Sequence, residues 1–494
     1  MLKKGLTAIP LNFEVMEKAP LPNKVKEFSK WYDEVLSKAE LIDIRYGVKG
    51  FVVYRPNAMI IVKKIYDLFE EELKKKGHRQ MLLPLVIPLS NLKKEAEHVK
   101  GFENQVFIIE RAGGDVLEEK LVLRPTSETA IYPMMSLWIK SYKDLPMKLF
   151  QSVAVYRHET KATRPLLRGR EFLWIETHDV FATPEEAEAQ IKEDLEIAKK
   201  VYNELGLAFI VVEREEFDRF PGAERSFAYD ALMPNGEVLQ IATTHYLGQR
   251  FSKPFEVMFM DERGVNRYPY TTCFGIGISR TLAAIIITHG DEYGLVLPFG
   301  MAIYDVVIVP ILYKGKEKEV IEKARKIEEI VKNAGYSVKF DDGEETPGEK
   351  FYKWEMLGVP VRIEIGSREV SEGTVTVFRR DLRKREKKKD GELVEYLGYL
   401  KSDMIRVLRG RSWNTLKERL VKVNSREELL EEAEKGKIIL ANFCGKKKCA
   451  DEIKAETRGY EVRGRRIDEP IEPWGPCVWC GEEAKRVVVL AKAF

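Results

Sequence analysis

Between Val155 and His178 the chain runs V-Y-R-H-E-T-K-A-T-R-P-L-L-R-G-R-E-F-L-W-I-E-T-H, with four arginines, a lysine, two histidines and three glutamates set among residues suited to strands. Phe150 to Glu159 and Arg170 to His178 read as the paired arms of an antiparallel hairpin, and Thr160 to Gly169 crosses between them. Successive side chains of a strand point to opposite faces. Arg157 and Glu159 therefore share a face of the first arm, and Phe172, Trp174, Glu176 and His178 share a face of the second. Any fold must place a cation, an acceptor and aromatic plates on one sheet surface, beside a mobile loop bearing Arg164 and Arg168. Such a surface suits a nucleoside triphosphate. A solvated charged hairpin is the competing reading, and the stretch alone does not separate the two.

At about 150 residues per domain, 494 residues imply about three domains. Hydrophobic residues make up 44% and aromatic residues 10%, enough for several cores. The 82 basic and 79 acidic residues leave a net charge of +3, so any contact with nucleic acid must come from local patches. No apolar run approaches the ~20 residues a membrane span needs, and the N-terminus lacks the apolar core of a signal peptide. The cytoplasm is the expected compartment, and no membrane partner is expected.

Residues 1–297 mix long helices and strands. Pro56 to Lys76 has helical spacing with a glycine stop at Gly77, and Met81 to Pro88 reads as a strand whose prolines suit an edge or an irregular neighbour. Thr183-Pro184-Glu185-Glu186 opens the clearest helix, with Thr183 as N-cap, Glu186 completing a capping box and Gly206 ending it. From Pro298 the pattern becomes β-α-β-α-β-β, a compact α/β domain over 298–398. The run Arg379 to Lys389 follows, with eight basic and two acidic residues; a phosphate grip and a solvated face are both open. A final α+β unit, 399–494, carries Cys444, Cys449, Cys477 and Cys480. Their C-x4-C and C-x2-C spacing fits a tetrahedral structural zinc, against four reduced thiols. The expected fold class is multidomain, α/β and α+β together.

Three more clusters bear chemistry. In L-R-P-T-S-E-T-A, Leu123 to Ala130, Thr126 can cap a helix and Glu128 suits its dipole, which leaves a ligand role open for both. In L-Q-I-A-T-T-H-Y-L-G-Q, Leu239 to Gln249, Gln240, Thr243 and His245 follow a strand-like run. In C-F-G-I-G-I-S-R, Cys273 to Arg280, two glycines allow close approach, and Arg280 heads an apolar helix where it needs an anionic partner.

Together these stretches resemble the class II aminoacyl-tRNA synthetases. R-H-E with R-E-F-L-W-x-E-x-H is similar to their motif 2, G-I-G-I-S-R to motif 3, and the strand around Pro84 to motif 1, the dimer interface of that class. R-P-T-S-E-T resembles the proline loop of the prolyl-tRNA synthetases, F-Y-K-W-E-M-L-G-V-P-V-R-I-E-I-G their anticodon-binding domain, and the cysteine-bearing tail their archaeal/eukaryotic-type extension. The resemblance implies a class II antiparallel-sheet catalytic core and the ATP-dependent joining of L-proline to tRNA(Pro) by a homodimer.

Carried over, it implies that Arg157 holds the α-phosphate and the substrate carboxylate. Glu159 binds the adenine side or positions Mg²⁺. Phe172 and Arg280 sandwich adenine, Arg168 reaches the terminal phosphates, and Gln240 and Thr243 complete the ATP site. Arg157, Glu159 and Arg280 form the implied catalytic set. Thr126 and Glu128 accept the two N–H donors of the proline ammonium. Phe102, Trp174, Glu176, His178 and His245 complete the proline site with Arg157. Phe351, Glu355 and Arg362 match anticodon-contacting positions.

The sequence departs from the family pattern in places. Gln105 stands where glutamate is usual, motif 3 is worded as in the bacterial type, and the chain ends in Phe494 rather than tyrosine. Only 122 residues separate Arg157 from Arg280, too few for the editing insertion of many bacterial prolyl enzymes. Misactivation of alanine or cysteine without cis-editing is therefore expected. A seryl enzyme would carry a coiled-coil arm, a threonyl enzyme an active-site zinc. A catalytically dead paralogue would not keep Arg157, Glu128, His245 and Arg280 together.

Overall fold

The computed structural model describes residues 19–94 and 104–494. Phe102 lies outside the described residues. Helix α1 (Phe28–Lys38) is followed by α2 (Pro56–Lys75), which Gly77, at φ 88°, leaves in the left-handed conformation that glycine favours. The expected strand at Met81–Pro88 is broken instead. Only β1 (Arg79–Gln80) and Val86–Pro88 are extended in ladders, and between them the Leu83 N–H donates to the side chain of Gln151 at 3.0 Å. Pro88 lies on the edge strand of a three-stranded sheet, opposite Leu121, and Pro84 lies outside any ladder, in keeping with the edge or irregular pairing expected of them.

Helix α3 (Glu128–Trp138) precedes the hairpin, β2 (Met147–Tyr156) and β3 (Glu171–Phe181). The register pairs Val155 with Phe172, Val153 with Trp174 and Gln151 with Glu176. The first arm ends one residue short of Arg157, although the Arg157 N–H still reaches the Arg170 carbonyl at 2.9 Å. Helix α4 (Pro184–Glu204) carries the Thr183–Glu186 capping box, and Gly206, at φ 71°, stops it. Strands β4 (Phe209–Glu213), β5 (Arg225–Leu232), β6 (Val238–Gly248) and β7 (Tyr270–Gly277) complete the antiparallel sheet before the apolar helix α5 (Ile278–His289). Helices α2, α4 and α5 cover one face, where Phe69, Tyr202, Phe274 and Ile285 form the main core. On the other face, Tyr132 of α3 with Phe251 covers one end and the C-terminal unit covers β4 and β5, and the surface between them stays open.

The next unit has β8 (Val306–Pro310), α6 (Glu317–Asn333), β9 (Val338–Phe340), α7 (Pro347–Met356), β10 (Val361–Ile365), β11 (Thr374–Arg379) and β12 (Lys384–Lys389). Its strand order is β9-β8-β10-β11-β12, parallel through β10 and antiparallel after it. The basic run divides. Arg379 and Arg380 are buried on Asp381, Asp403 and Asp291, while β12 presents its lysines along an exposed edge. Charges on an edge strand also discourage pairing with another chain.

Helix α8 (Leu393–Arg419) leads to β13 (Leu420–Lys422), β14 (Ile438–Phe443), α9 (Lys447–Glu456), β15 (Tyr460–Arg466) and β16 (Arg486–Lys492). These four strands do not form a separate sheet. Strand β15 pairs with β4, giving an 11-stranded sheet in the order β13-β14-β16-β15-β4-β5-β6-β7-β3-β2-β1.

Candidate active site

Two cavities open on the uncovered face of β3, β6 and β7. The first, of about 200 Å³, is lined by Thr126, Glu128, Glu176, Phe220, His245 and Cys273 among others. The second, of about 170 Å³, is lined by Glu159, Arg168, Phe172, Gly277 and Arg280 among others. Arg157, Trp174, Gln240, Thr243 and Gly275 line both. Gly275 sits where a Cβ would meet the Trp174 ring at 3.2 Å, so the absence of a side chain makes room for the indole.

At the floor of the first cavity, Glu176 is the hub of a buried network. Its carboxylate accepts from Thr126 Oγ1 at 3.0 Å, from the Ser127 N–H at 3.2 Å and from Gln151 Nε2 at 2.7 Å, and also from the Ser127 hydroxyl. Burial opposes its charge, but His178, Ser127 and Gln151 overcome that and lower its pKa. Thr126 also donates to Glu128 at 2.5 Å. Thr126 is therefore not the helix cap that its position allowed; Ser127 occupies the N-cap, and its hydroxyl is drawn to Glu176 instead. His178 does not line the cavity. It lies buried behind Glu176 at 3.4 Å, and that carboxylate outweighs burial to raise its pKa.

His245 is fixed by Ser226 at Nδ1 (2.8 Å) and Thr243 at Nε2 (3.1 Å), and Phe220 stacks on it at 4.4 Å. Burial, followed by the charges of Arg157 and Arg214, pushes its pKa down to about 3. A neutral imidazole does not repel a substrate ammonium. Phe220, Cys273 and Arg214 were not anticipated from the sequence. Arg214 and Phe220 stand in R-E-E-F-D-R-F, a polar loop with no periodicity to set them apart.

Arg157 stands at the junction. Its Nε donates to the Pro125 carbonyl at 3.0 Å, and its guanidinium lies 5.2 Å from the Phe172 ring and 5.6 Å from Trp174. Arg280 donates to the Leu167 carbonyl (3.0 Å) and to the Gln240 carbonyl (2.9 Å), tying the hairpin loop to β6. Burial and then repulsion from Arg168 and Arg157 lower its pKa to about 10, which leaves it cationic at neutral pH. Gln240 and Thr243, three residues apart, share the cavity wall because the β5–β6 register slips past Ile241.

The loop between the arms is anchored. Leu166, at φ 63°, and Leu167 are buried, and Tyr32 Oη donates to the Pro165 carbonyl at 3.0 Å. A non-glycine residue held at positive φ costs ~1–3 kcal/mol, a strain that packing must hold in place. Arg164 donates to Ser29 Oγ and O, at 3.1 and 2.9 Å, and Arg170 to the Glu159 carbonyl at 3.3 Å. Both hold the loop. Arg168 lies 3.9 Å from Glu159, and its guanidinium is 5.4 Å from the ring of Phe494, whose N–H donates to the Val238 carbonyl.

Away from this face, Arg362 is sandwiched between Phe351 (3.9 Å) and Phe378 (4.1 Å) and paired with Glu355 and Glu364. Phe351, Glu355 and Arg362 are thus brought together, but the polar atoms of Glu355 and Arg362 are turned to internal partners. The sulfurs of Cys444, Cys449, Cys477 and Cys480 all lie within 4.8 Å of one another, with Cys444–Cys449 at 3.6 Å and Cys444–Cys480 at 3.7 Å. Four thiolates ~2.3 Å from a tetrahedral zinc stand about 3.8 Å apart, so the cluster fits that ion.

Comparison with known proteins agrees with this layout. Residues 107–289 match the family model of the tRNA synthetase class II core domain (G, H, P, S and T), 305–399 an anticodon binding domain, and 426–494 the prolyl-tRNA synthetase C-terminal domain. A proline–tRNA ligase of Thermofilum pendens is 53% identical over 96% of this chain and 98% of its own. One from Methanopyrus kandleri is 45% identical over 95% and 96%. The solved Giardia lamblia prolyl-tRNA synthetase, in complex with prolyl-adenylate, superimposes with a TM-score of 0.93 at 36% identity, covering 97% of this chain and all of that one.

Proposed function

Because the chain belongs to the prolyl-tRNA synthetases, within the class II aminoacyl-tRNA synthetases, we propose that it attaches L-proline to tRNA(Pro) in two ATP-dependent steps. In the first, a proline carboxylate oxygen attacks the α-phosphorus of MgATP, giving prolyl-adenylate and pyrophosphate. In the second, a ribose hydroxyl of the tRNA's terminal adenosine attacks the prolyl carbonyl and AMP leaves.

The observation that carries this reading is the meeting of two cavities at Arg157. Carboxylate and phosphate are both anions, and the half-buried guanidinium of Arg157 between them lowers the cost of bringing them together. Thr126 and Glu128 take the proline ammonium, Trp174, Phe220 and His245 wall its ring, and Glu176 with His178 fixes the acceptors from behind. Glu159, Phe172, Gln240, Thr243 and Arg280 hold the nucleotide, and Arg168 meets the departing pyrophosphate. No side chain forms a covalent intermediate. Positioning and charge stabilisation supply the rate.

Between the hairpin and Arg280 the chain forms α4, strands β4 to β7 and a short ribbon, Phe259–Met260 with Asn266–Arg267, and we assign no editing activity to any of these. Alanine or cysteine bound in the small cavity is then activated and not cleared in cis. The four cysteines would hold a structural zinc, which would join Cys477 and Cys480 to Cys444 and Cys449. On the anticodon unit Phe351 offers a stacking plate, held in place by Arg362 and Glu355. A second copy covers exposed apolar side chains, among them Leu82 and Leu85 of the motif 1 stretch and Leu137, all solvent-exposed in the single chain. Among the described residues no helix is long and apolar enough to cross a membrane, and the cytoplasm is the compartment this reading assigns.

Incubation of the protein with ATP, labelled proline and a tRNA(Pro) transcript tests the reading. Acid-precipitable label that vanishes without ATP is expected. No charging of tRNA(Pro), or equal charging of a tRNA with an unrelated anticodon and acceptor stem, counts against it.

A further inference from the structure

The C-terminal unit reaches the nucleotide side of the active site from behind. It enters the catalytic sheet at Gly464, whose φ of 125° and close packing leave no room for a side chain: a Cβ there would lie 2.1 Å from the Glu213 carbonyl oxygen. The β15–β16 register slips between Val462 and Gly464, and such a bulge re-aims the neighbouring side chain. That side chain is Arg463. Its guanidinium grips both oxygens of Asp230 on β5, Nε to Oδ2 at 2.8 Å and Nη2 to Oδ1 at 2.9 Å, and both residues are buried. Nη1 reaches Glu461 at 3.4 Å.

Asp230 is the cross-strand partner of Gln240, at the slip in the β5–β6 register. Gln240 is in turn held by two other arginines. Arg214 Nη2 donates to its Oε1 at 2.8 Å, and Arg280 Nη1 to its main-chain oxygen at 2.9 Å. Both arginines lie near enough to Asp230 to help keep it ionised. A buried carboxylate stripped of its guanidinium must find another cation. The other cations acting on it are Arg214 and Arg280; Arg214 is tied to Asp218 at 2.6 Å, whereas Arg280, in turning to Asp230, lets go of the Gln240 carbonyl.

We propose that Arg463 is a positioning residue for ATP: by occupying both oxygens of Asp230, it keeps Arg280, which lines the nucleotide cavity and not the proline one, on Gln240 and so holds the nucleotide wall in shape. It touches no substrate and acts only through Asp230. The proposal rests on the reading of the cavities as a proline and ATP site.

Its test is ATP–pyrophosphate exchange by the full-length parent, Arg463→Met, Arg463→Lys and the double variant Asp230→Asn/Arg463→Met, each with its thermal midpoint measured. Arg463→Met is expected to raise KM for ATP about tenfold, the worth of one buried charge-assisted hydrogen bond, with KM for proline within about twofold of the parent. The double variant removes the anion that would draw Arg280 away, and its KM for ATP returns to within about threefold of the parent. Arg463→Lys keeps the charge without the fork and falls between, which preserves the test if the methionine variant does not fold. Equal rises in both KM values overturn the proposal. So does an unchanged KM for ATP in a folded Arg463→Met or Arg463→Lys enzyme, or a double variant as impaired as the single one. A parent with no proline-dependent exchange removes the underlying reading instead, an outcome distinct from all of these.

Discussion

Glu128 and His289 show how the same surroundings set two different tasks for a buried polar group. Glu128 sits in the first turn of α3, where the helix dipole favours an anion, and it takes the Thr126 hydroxyl. Replacing it by glutamine keeps the shape and removes the charge that we propose meets the proline ammonium. KM for proline is then expected to rise about 10- to 100-fold in pyrophosphate exchange, the range for a lost charged hydrogen bond, with KM for ATP nearly unchanged. A parallel rise in both would place Glu128 elsewhere in the mechanism. His289 is buried at the end of α5 with its Nε2 at 2.9 Å from the Leu205 carbonyl, and burial lowers its pKa to about 4. Its folded pKa lies below its unfolded one, so as pH falls below 6.5 the unfolded chain takes up the proton first. Stability is therefore lost on acidification, down to about pH 4. Relative to His289→Gln, the parent should lose about 2 kcal/mol more between pH 6.5 and 4.5, read from urea midpoints; parallel curves would contradict this. At this scale, residues that a motif frames, such as Glu128, Arg157 and Arg280, are ones the structure gathers around the two cavities. Arg214 and Phe220 escaped because a loop residue is placed by contacts that no local spacing encodes.

Elements were legible where a local rule fixes them. The α4 capping box, the paired arms around Phe172 and the glycine stop after α2 follow from nearest-neighbour chemistry, and all three are present. The basic run was not legible as a unit, because burial of Arg379 and Arg380 depends on carboxylates on α8 and beyond α5. The loop of the hairpin was expected to be mobile; instead Leu166 and Leu167 pin it to the core while Arg164 ties it to α1. The cysteine cluster was legible from spacing alone, since a metal reads ligand separation directly. Elemental analysis of the purified protein should find a single zinc per chain, and Cys477→Ser should abolish it and lower the thermal midpoint of the C-terminal unit. Full stability without zinc would mean that the thiols pack as an ordinary core.

At the scale of the molecule, the unforeseen feature is continuity. A break in pattern near residue 400 reads as a separate domain, yet β15 joins β4 and makes the tail part of the catalytic sheet. Pairing between segments some 250 residues apart leaves no periodic trace, and only the glycine at 464 hints at a close approach. Assembly is argued at the same scale. Leu137 and Leu82 are large apolar side chains, 63% and 76% exposed in the single chain. Light scattering should return twice the 57.0 kDa of one chain, and Leu137→Glu should shift the mass toward a single chain. A monomeric parent would contradict the assigned interface. The decisive measurement is ATP–pyrophosphate exchange surveyed across the twenty amino acids. Proline should give by far the fastest exchange, with weaker exchange for alanine or cysteine, because one small cavity walled by Thr126, Glu128 and Trp174 meets the nucleotide site at Arg157. Exchange absent with proline, or strongest with serine or threonine, would contradict it.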